Sequence, residues 1–327
     1  MVPEVLDIVV RIRLYILIAL IGWTIPSQAM TEEAQQRFLY YFYEAEQLWQ
    51  QQDYAASIPL FEFCHDLNPT DPIVNRYMGH AYRGCNMPDR ALPFYRVAWE
   101  QAPNDCWADY AVSLYNMGDK KHRKQAIKVM EQTTKTLTND IELWDRLRDA
   151  YTGIGKYKKA IRAQDSMDCI EGYGPYSAIN RYRIYVMAND PKRAIRAIEE
   201  YLQEDSTNLQ FQLYRMHLYE ITRKPFEQQE QAYLTVLRLD PHNALALNDY
   251  AYMLACHGGD LKKAEIMSIR ALHIEPTNPA YLDTYAWIMY LSGQKELAKL
   301  YIRQAMQHLP ADADKTDIQR HYNIIMQ

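Results

Sequence analysis

The sequence predicts an all-α protein, a solenoid of about eight helix pairs finished by a C-terminal capping helix. Three observations carry that prediction. A helix-ending position recurs at a nearly constant interval along most of the chain. Within each interval, apolar residues fall at spacings of three and four in two successive stretches, the pattern of paired amphipathic helices. The composition, 48% hydrophobic with 27 Tyr and only 11 Gly, supplies a core and excludes general disorder.

The interval is set by Pro69, Pro103, Pro241, Pro276 and Pro310, with Thr138, Gly172 and Ser206 in the corresponding places between. Successive separations are 34, 35, 34, 34, 35, 35 and 34 residues. Proline stops a helix because it has no N–H for the ladder, so each is expected just past the second helix of a pair. The clearest unit is Trp144-x-x-Leu147-x-x-x-Tyr151-x-x-x-Gly155-x-Tyr157-x-x-Ala160. Its first helix presents one apolar face, Gly155 permits the turn, and Ala160 sits where the two helices cross most closely. Ala91, Ala126, Ala194, Ala264 and Ala298 occupy the same place.

These residues resemble the tetratricopeptide-repeat (TPR) family, over about residues 31–310. Gly79, Tyr82, Ala91, Tyr95, Ala98 and Pro103 form a second near-complete unit. The last two units, with Asn248-Asp-Tyr-Ala251 and Tyr281-Leu-Asp-Thr-Tyr-Ala-Trp287, resemble terminal repeats of exported bacterial TPR proteins. The resemblance implies a right-handed superhelical solenoid, with eight tandem units over residues 30–310 and a capping helix over 311–327. Thr31 is expected to cap the first helix, with Glu32 and Glu33 in its first turn. A closing helix is expected from Asp314 or Thr316, with Ile318, Tyr322 and Ile325 on one face. The third unit carries about two extra residues in Asp119–Lys124, read as a longer solvated turn. The fifth and sixth units depart from the pattern at Tyr182, His217 and Gln229.

Residues 1–29 read as a secretory signal. Arg11 and Arg13 precede the apolar run Leu14–Ile25, and Ser27-Gln28-Ala29 has the small-x-small form of a cleavage site. A periplasmic or secreted location follows as an expectation. The alternative is a membrane anchor formed by residues 8–25, which would bury both arginines in the hydrocarbon.

Chemistry is sparse. The five cysteines have no CxxC spacing and are read as small buried hydrophobes, with one disulfide open to an exported chain. No HExxH or His–Cys metal spacing occurs. Gly153-Ile-Gly155-Lys156 lacks the interval and strand of a phosphate loop, and the repeat explains it as a turn. No cofactor, no metal and no catalytic residue are expected.

A groove is expected instead. In TPR proteins the first helix of each pair lines a concave face, and the resemblance carries that role onto Arg76, His80 and Arg83 in the second unit. Asp109 follows in the third, Glu142, Asp145 and Asp149 in the fourth, Tyr176 and Arg183 in the fifth, and Phe211 and Tyr214 in the sixth. The eighth contributes Asp283, Trp287 and Tyr290. Such a groove would be basic, then acidic, then aromatic, and would hold a protein or an extended peptide. The reading is therefore a non-catalytic binding scaffold of the bacterial cell envelope, touching membrane only through an uncleaved N-terminal segment. Two alternatives are a glycan-processing enzyme or subunit centred on Asp109, Asp145 and Asp149, and a helical-repeat nucleic-acid reader. The formal net charge of −5 argues against the latter.

Overall fold

The computed structural model describes residues 30–310 and 316–327. The expected leader or anchor, residues 1–29, and Asp314 of the expected cap lie outside the described residues. Seventeen helices and no strand occur among the described residues.

The chain divides into two compact units, one up to Glu171 and one from Gly172 to Gln327. The first holds four helix pairs: α1 (Glu32–Gln50) with α2 (Tyr54–Leu67), α3 (Pro72–Gly84) with α4 (Pro88–Gln101), α5 (Pro103–Asn116) with α6 (Lys120–Thr133), and α7 (Ile141–Gly153) with α8 (Tyr157–Glu171). The second holds four more: α9 (Pro175–Met187) with α10 (Pro191–Glu204), α11 (Leu209–Ile221) with α12 (Phe226–Leu239), α13 (Ala244–Cys256) with α14 (Leu261–Ile274), and α15 (Pro279–Leu291) with α16 (Lys295–His308). Helix α17 (Thr316–Ile325) closes it. The pairs are repeats 1–8 below.

Local chemistry sets the helix starts. Ten helices begin at a Thr, Asp or Asn whose side chain accepts a backbone N–H of the first turn. Thr31 does so from the Ala34 N–H at 3.3 Å, as expected. The crossing alanines Ala91, Ala126, Ala160, Ala194, Ala264 and Ala298 are all at most 1% exposed. In α17, Ile318 and Ile325 are buried and Tyr322 half-buried against the core of the second unit.

Every helix-pair turn holds one residue in the left-handed region. In chain order these are Gln52, Asn86, Gly118, Gly155, Asn189, Arg223, Gly258 and Gly293. In seven of the eight, the next residue donates its N–H to the carbonyl five positions back, at 2.8 or 2.9 Å. This Schellman-type closure explains the glycines. Repeats 1, 2, 5 and 6 make the same turn without one, and only asparagine among their substitutes suits it.

A hydrogen bond recurs between consecutive repeats. The Tyr82 hydroxyl donates to Glu62 Oε1 at 2.9 Å and that of Tyr250 to Glu230 Oε1 at 2.6 Å. Tyr151 donates to Glu131, and Tyr219 to Glu199, in the same way. Tyr82, Tyr151 and Tyr219 stand in the last turn of a first helix and Tyr250 near the middle of one, and in all four the glutamate lies 20 residues earlier on the second helix of the preceding repeat. Lys159 joins Glu131 at 2.7 Å, and Lys263 joins Glu230 at 3.6 Å. Burial alone would raise the Glu131 carboxyl, but the hydrogen bonds from Lys159 and Tyr151 hold it below its ordinary range.

Several expectations need correction. Pro103 stands two residues past α4, as expected, but it also opens α5 at the first helical position, where an N–H has no partner to lose. The extra residues of the third unit do not lengthen its turn, which keeps three residues, 117–119. They become an added helical turn at the start of α6, capped by the Asp119 side chain. In repeat 6 the place expected for His217 belongs to Met216, which is 2% exposed, while His217 is exposed. The extra residue there lies in the four-residue turn 222–225, so counting back from Pro241 overshoots by one. Gln229, standing where alanine was expected, turns its amide to the Lys224 carbonyl at 2.6 Å. The cysteines are all free, and Cys169 and Cys256 are exposed, so only Cys64 and Cys106 are buried as expected.

Arg223 has the least suitable side chain for its conformation, at φ 50°. Arg223→Gly should raise the thermal midpoint, by the equivalent of about 1 kcal/mol. Gly155→Ala, at φ 71°, should lower it by a similar amount. Calorimetry of the two variants checks both signs.

Candidate functional site

In the first unit the expected basic residues converge around one imidazole. Arg76 Nε donates to Asp109 Oδ2 at 2.6 Å, and His80 Nε2 lies 3.6 Å from Asp109 Oδ1. The Tyr95 hydroxyl is 2.9 Å from His80 Nδ1, and Arg83 Nη2 is 3.3 Å from the same nitrogen. A guanidinium only donates, so Nδ1 is the acceptor and the ring proton sits on Nε2, facing Asp109. Burial pushes the His80 pKa down; Asp109 opposes this, while Arg83 and Arg76 reinforce it. His80 is thus a neutral strut between repeats 2 and 3, and Arg83 is left exposed beside it.

Aromatic rings frame this cluster. Trp49 meets Tyr77 edge-on at 5.2 Å and His80 at 6.0 Å, and Tyr77 donates to Glu46 at 3.0 Å. The Tyr95 ring occupies the space over Gly79: a Cβ there would lie 2.5 Å from it. Glycine is required by this close approach, not by its turn-forming freedom.

Repeat 4 solves the same packing problem with charge. Arg148 stands where repeat 2 has Gly79, and Gln164 stands where it has Tyr95, each pair 16 residues apart. The Arg148 side chain is 6% exposed; Nη2 meets Asp145 and Asp149 at 2.8 Å each, and Nη1 donates to Gln164 at 3.2 Å. A guanidinium this buried requires its carboxylates. Asp145 and Asp149 therefore share one cation instead of facing each other across a cleft, and Asp149 stays 67% exposed. Asp109 is engaged by Arg76. The shielded carboxyl that a glycan-cleaving pair requires is not formed by these three acids. Glu142 lies exposed, paired with Arg146 at 2.8 Å. Between α5 and α7, a hollow of about 170 Å³ has Ala111, Val112, Met130 and Ala150 as its apolar lining and Arg146 and Asp149 as its charged lining.

In the second unit the expected aromatic lining is divided. Tyr176 is 57% exposed and Arg183 is exposed. Tyr214 is half-buried and stacks on Tyr182 at 4.6 Å. Phe211 is not a lining residue: it is 4% exposed and packs on Tyr201 with ring centroids 4.2 Å apart. Asp283 is likewise internal, 6% exposed, with His321 Nδ1 of α17 2.9 and 3.0 Å from its two oxygens. Trp287 is covered on one side by the His321 ring, stacked at 4.4 Å, and on another by Tyr290 at 5.5 Å. The position expected to face a partner in repeat 8 faces the chain's own cap.

Sequence reasoning missed a second acid group here. Asp249 accepts from Asn248 Nδ2 at 3.1 Å, but burial, with Glu220's negative charge adding, outweighs that bond and raises its pKa to about 7. No group of three or more His, Cys, Asp or Glu suited to a metal occurs among the described residues.

The fold has known counterparts. TPR repeat-containing protein PA4667 of Pseudomonas aeruginosa is 32% identical over 152 residues, which is 45% of this chain and 26% of that protein. The chain thus spans about a quarter of the length of the curated relative it matches. Among solved structures, the C-terminal part of a TPR repeat-containing protein from Cytophaga hutchinsonii superposes with a TM-score of 0.54 and 17% identity, over 74% of this chain and 98% of that one. A TPR protein from Parabacteroides merdae superposes more loosely, at 0.41 and 13% identity, over 78% and 99%. No protein-family model matches the sequence. The chain thus has the fold of a solved TPR protein, and part of its sequence is similar to a TPR repeat-containing protein. Repeats of this kind generally mediate protein–protein interactions and are generally non-catalytic.

Asp249 makes stability depend on pH. Its folded pKa of about 7 lies above the ordinary carboxyl value near 4, so between those values the folded chain holds a proton that the unfolded chain has released. Stability should fall as pH rises through that window and level off above it. Urea unfolding of the wild type and Asp249→Asn at pH 5 and pH 8 checks this; the wild type should lose more between the two.

Proposed function

We propose that this chain is a non-catalytic scaffold of the bacterial cell envelope that binds a protein or extended peptide along the first helices of repeats 2–4. The observation that carries the reading is the prearranged cluster around His80. Asp109, itself held by Arg76, and Tyr95 fix the imidazole from its two nitrogens, and Arg83 remains exposed beside it. An arginine held beside aromatic rings is the usual anchor of a protein interface.

The hollow between α5 and α7 adds a place for one apolar side chain, with Arg146 and Asp149 available to polar groups around it. A carboxylate-bearing segment would set its charge on Arg83 and an apolar residue in the hollow. The envelope location rests on the sequence of residues 1–29, a basic segment, a short apolar run and a small-residue cleavage site.

Affinity capture from the protein's own cells tests the reading. Full-length chains carrying Arg83→Glu, or Ala111→Trp to fill the hollow, should lose partners that the wild type retains. Wild-type and variant chains holding the same partners would place binding elsewhere. Fractionation of those cells tests location, which this reading sets outside the cytoplasm.

A further inference from the structure

We infer a second interaction surface, a lysine-rich edge on repeats 3 and 4 that rests on an anionic lipid surface. Two stretches build it. Residues 120–130 hold Lys120, Lys121, Arg123, Lys124 and Lys128, and residues 150–164 hold Lys156, Lys158, Lys159 and Arg162. Neither stretch contains an acidic residue, yet together they carry nine of the chain's 36 basic side chains. In a chain of net charge −5, this is a strong local excess.

The fold brings the stretches together. Each starts α6 or α8, directly after the helix-pair turn of consecutive repeats, and the Lys159–Glu131 bond at 2.7 Å holds α8 against α6. Lys120, Lys121, Lys124, Lys156 and Lys158 are exposed and form no ion pair among the described residues. Their arrangement works against folding. Lys120, Lys124 and Lys128 repeat at four-residue spacing, where like charges repel, and Lys120 and Lys121 stand in the first turn of α6, where the helix dipole disfavours cations. Within this turn it is Arg123, and not the exposed lysines, that packs, over the Tyr115 ring at 5.5 Å.

The chemistry selects the partner. The unpaired cations are lysines, compact point charges suited to a diffuse anionic surface rather than to bidentate reading of bases or carboxylates. Ile154, 37% exposed, lies in the repeat 4 turn beside Lys156 and Lys158, an apolar contact of the kind an interfacial surface accepts. The stacking platform of aromatics that single-stranded nucleic acid requires is absent from these two stretches, whose only tyrosines, Tyr151 and Tyr157, are buried and half-buried.

Flotation of the full-length chain tests this, with vesicles of phosphatidylcholine alone and with added phosphatidylglycerol, at low and high salt. Binding through the N-terminal apolar segment is common to both vesicles; the difference between them reports the edge. Wild type should show a salt-sensitive gain on the anionic vesicles. Combined Lys120→Glu, Lys121→Glu, Lys124→Glu, Lys156→Glu and Lys158→Glu should reduce that gain by about tenfold or more. The same five positions changed to Gln should give a partial loss, with circular dichroism confirming that both variants fold. An equal gain in wild type and variants, or no gain in wild type, overturns the inference. So does charge-dependent binding to polyglutamate or duplex DNA without binding to anionic vesicles.

Discussion

The hydrogen bond from the tyrosine of one repeat to the glutamate of the repeat before it is the constraint on which the rest of the structure depends. A helix pair of this size cannot bury its own apolar face, and stacking on a neighbour does that work. Apolar contact alone leaves the stacking register loosely determined, because it is not directional. The Tyr–Glu bond is directional. Four examples at the same 20-residue separation, two of them joined by a lysine, fix how far the first helices of repeats 2, 4, 6 and 7 slide along the preceding second helix. Burial accompanies the bonding: the Tyr219 hydroxyl is pushed up to about 12, first by desolvation and then by Glu199.

The candidate site depends on stacking too, at an interface that none of these Tyr–Glu bonds spans. Arg76 and Asp109 belong to consecutive repeats and meet at 2.6 Å only because α3 and α5 are held side by side. Arg148 shows the same dependence within a repeat, since its guanidinium is tolerable only where Asp145, Asp149 and Gln164 reach it together. Packing draws on positions that the repeat pattern assigns to the groove. This is why Phe211 and Asp283, one buried against Tyr201 and the other bonded to the cap, belong to packing although the repeat pattern placed them with the lining residues.

The period was legible because helix punctuation is local. Capping side chains, left-handed turn residues and crossing alanines each depend on a few neighbouring residues. The failures are of another kind. Pro103 follows α4 as expected, and what the count missed is that the same proline opens α5, because proline suits a first helical position as well as a helix end. The place given to His217 slipped because an extra residue in one turn is invisible to a count from a distant proline. Arg148 was readable in principle, as a charge in a column that holds Gly79 in repeat 2. The raised Asp249 was not, since its burial, and Glu220 reaching it from another helix, arise only once the helices stack. The lysines were readable as residues but not as a surface, because two stretches some 30 residues apart in sequence share an edge only after stacking.

A double-mutant cycle on Tyr82→Phe and Glu62→Gln tests the central claim most directly, since that pair lacks a bridging lysine. Unfolding free energies of the wild type, both single variants and the double variant should give a coupling of about 1 kcal/mol or more, as expected for a charge-assisted bond. Additive single effects would show that the tyrosine contributes packing alone and that the register is set elsewhere.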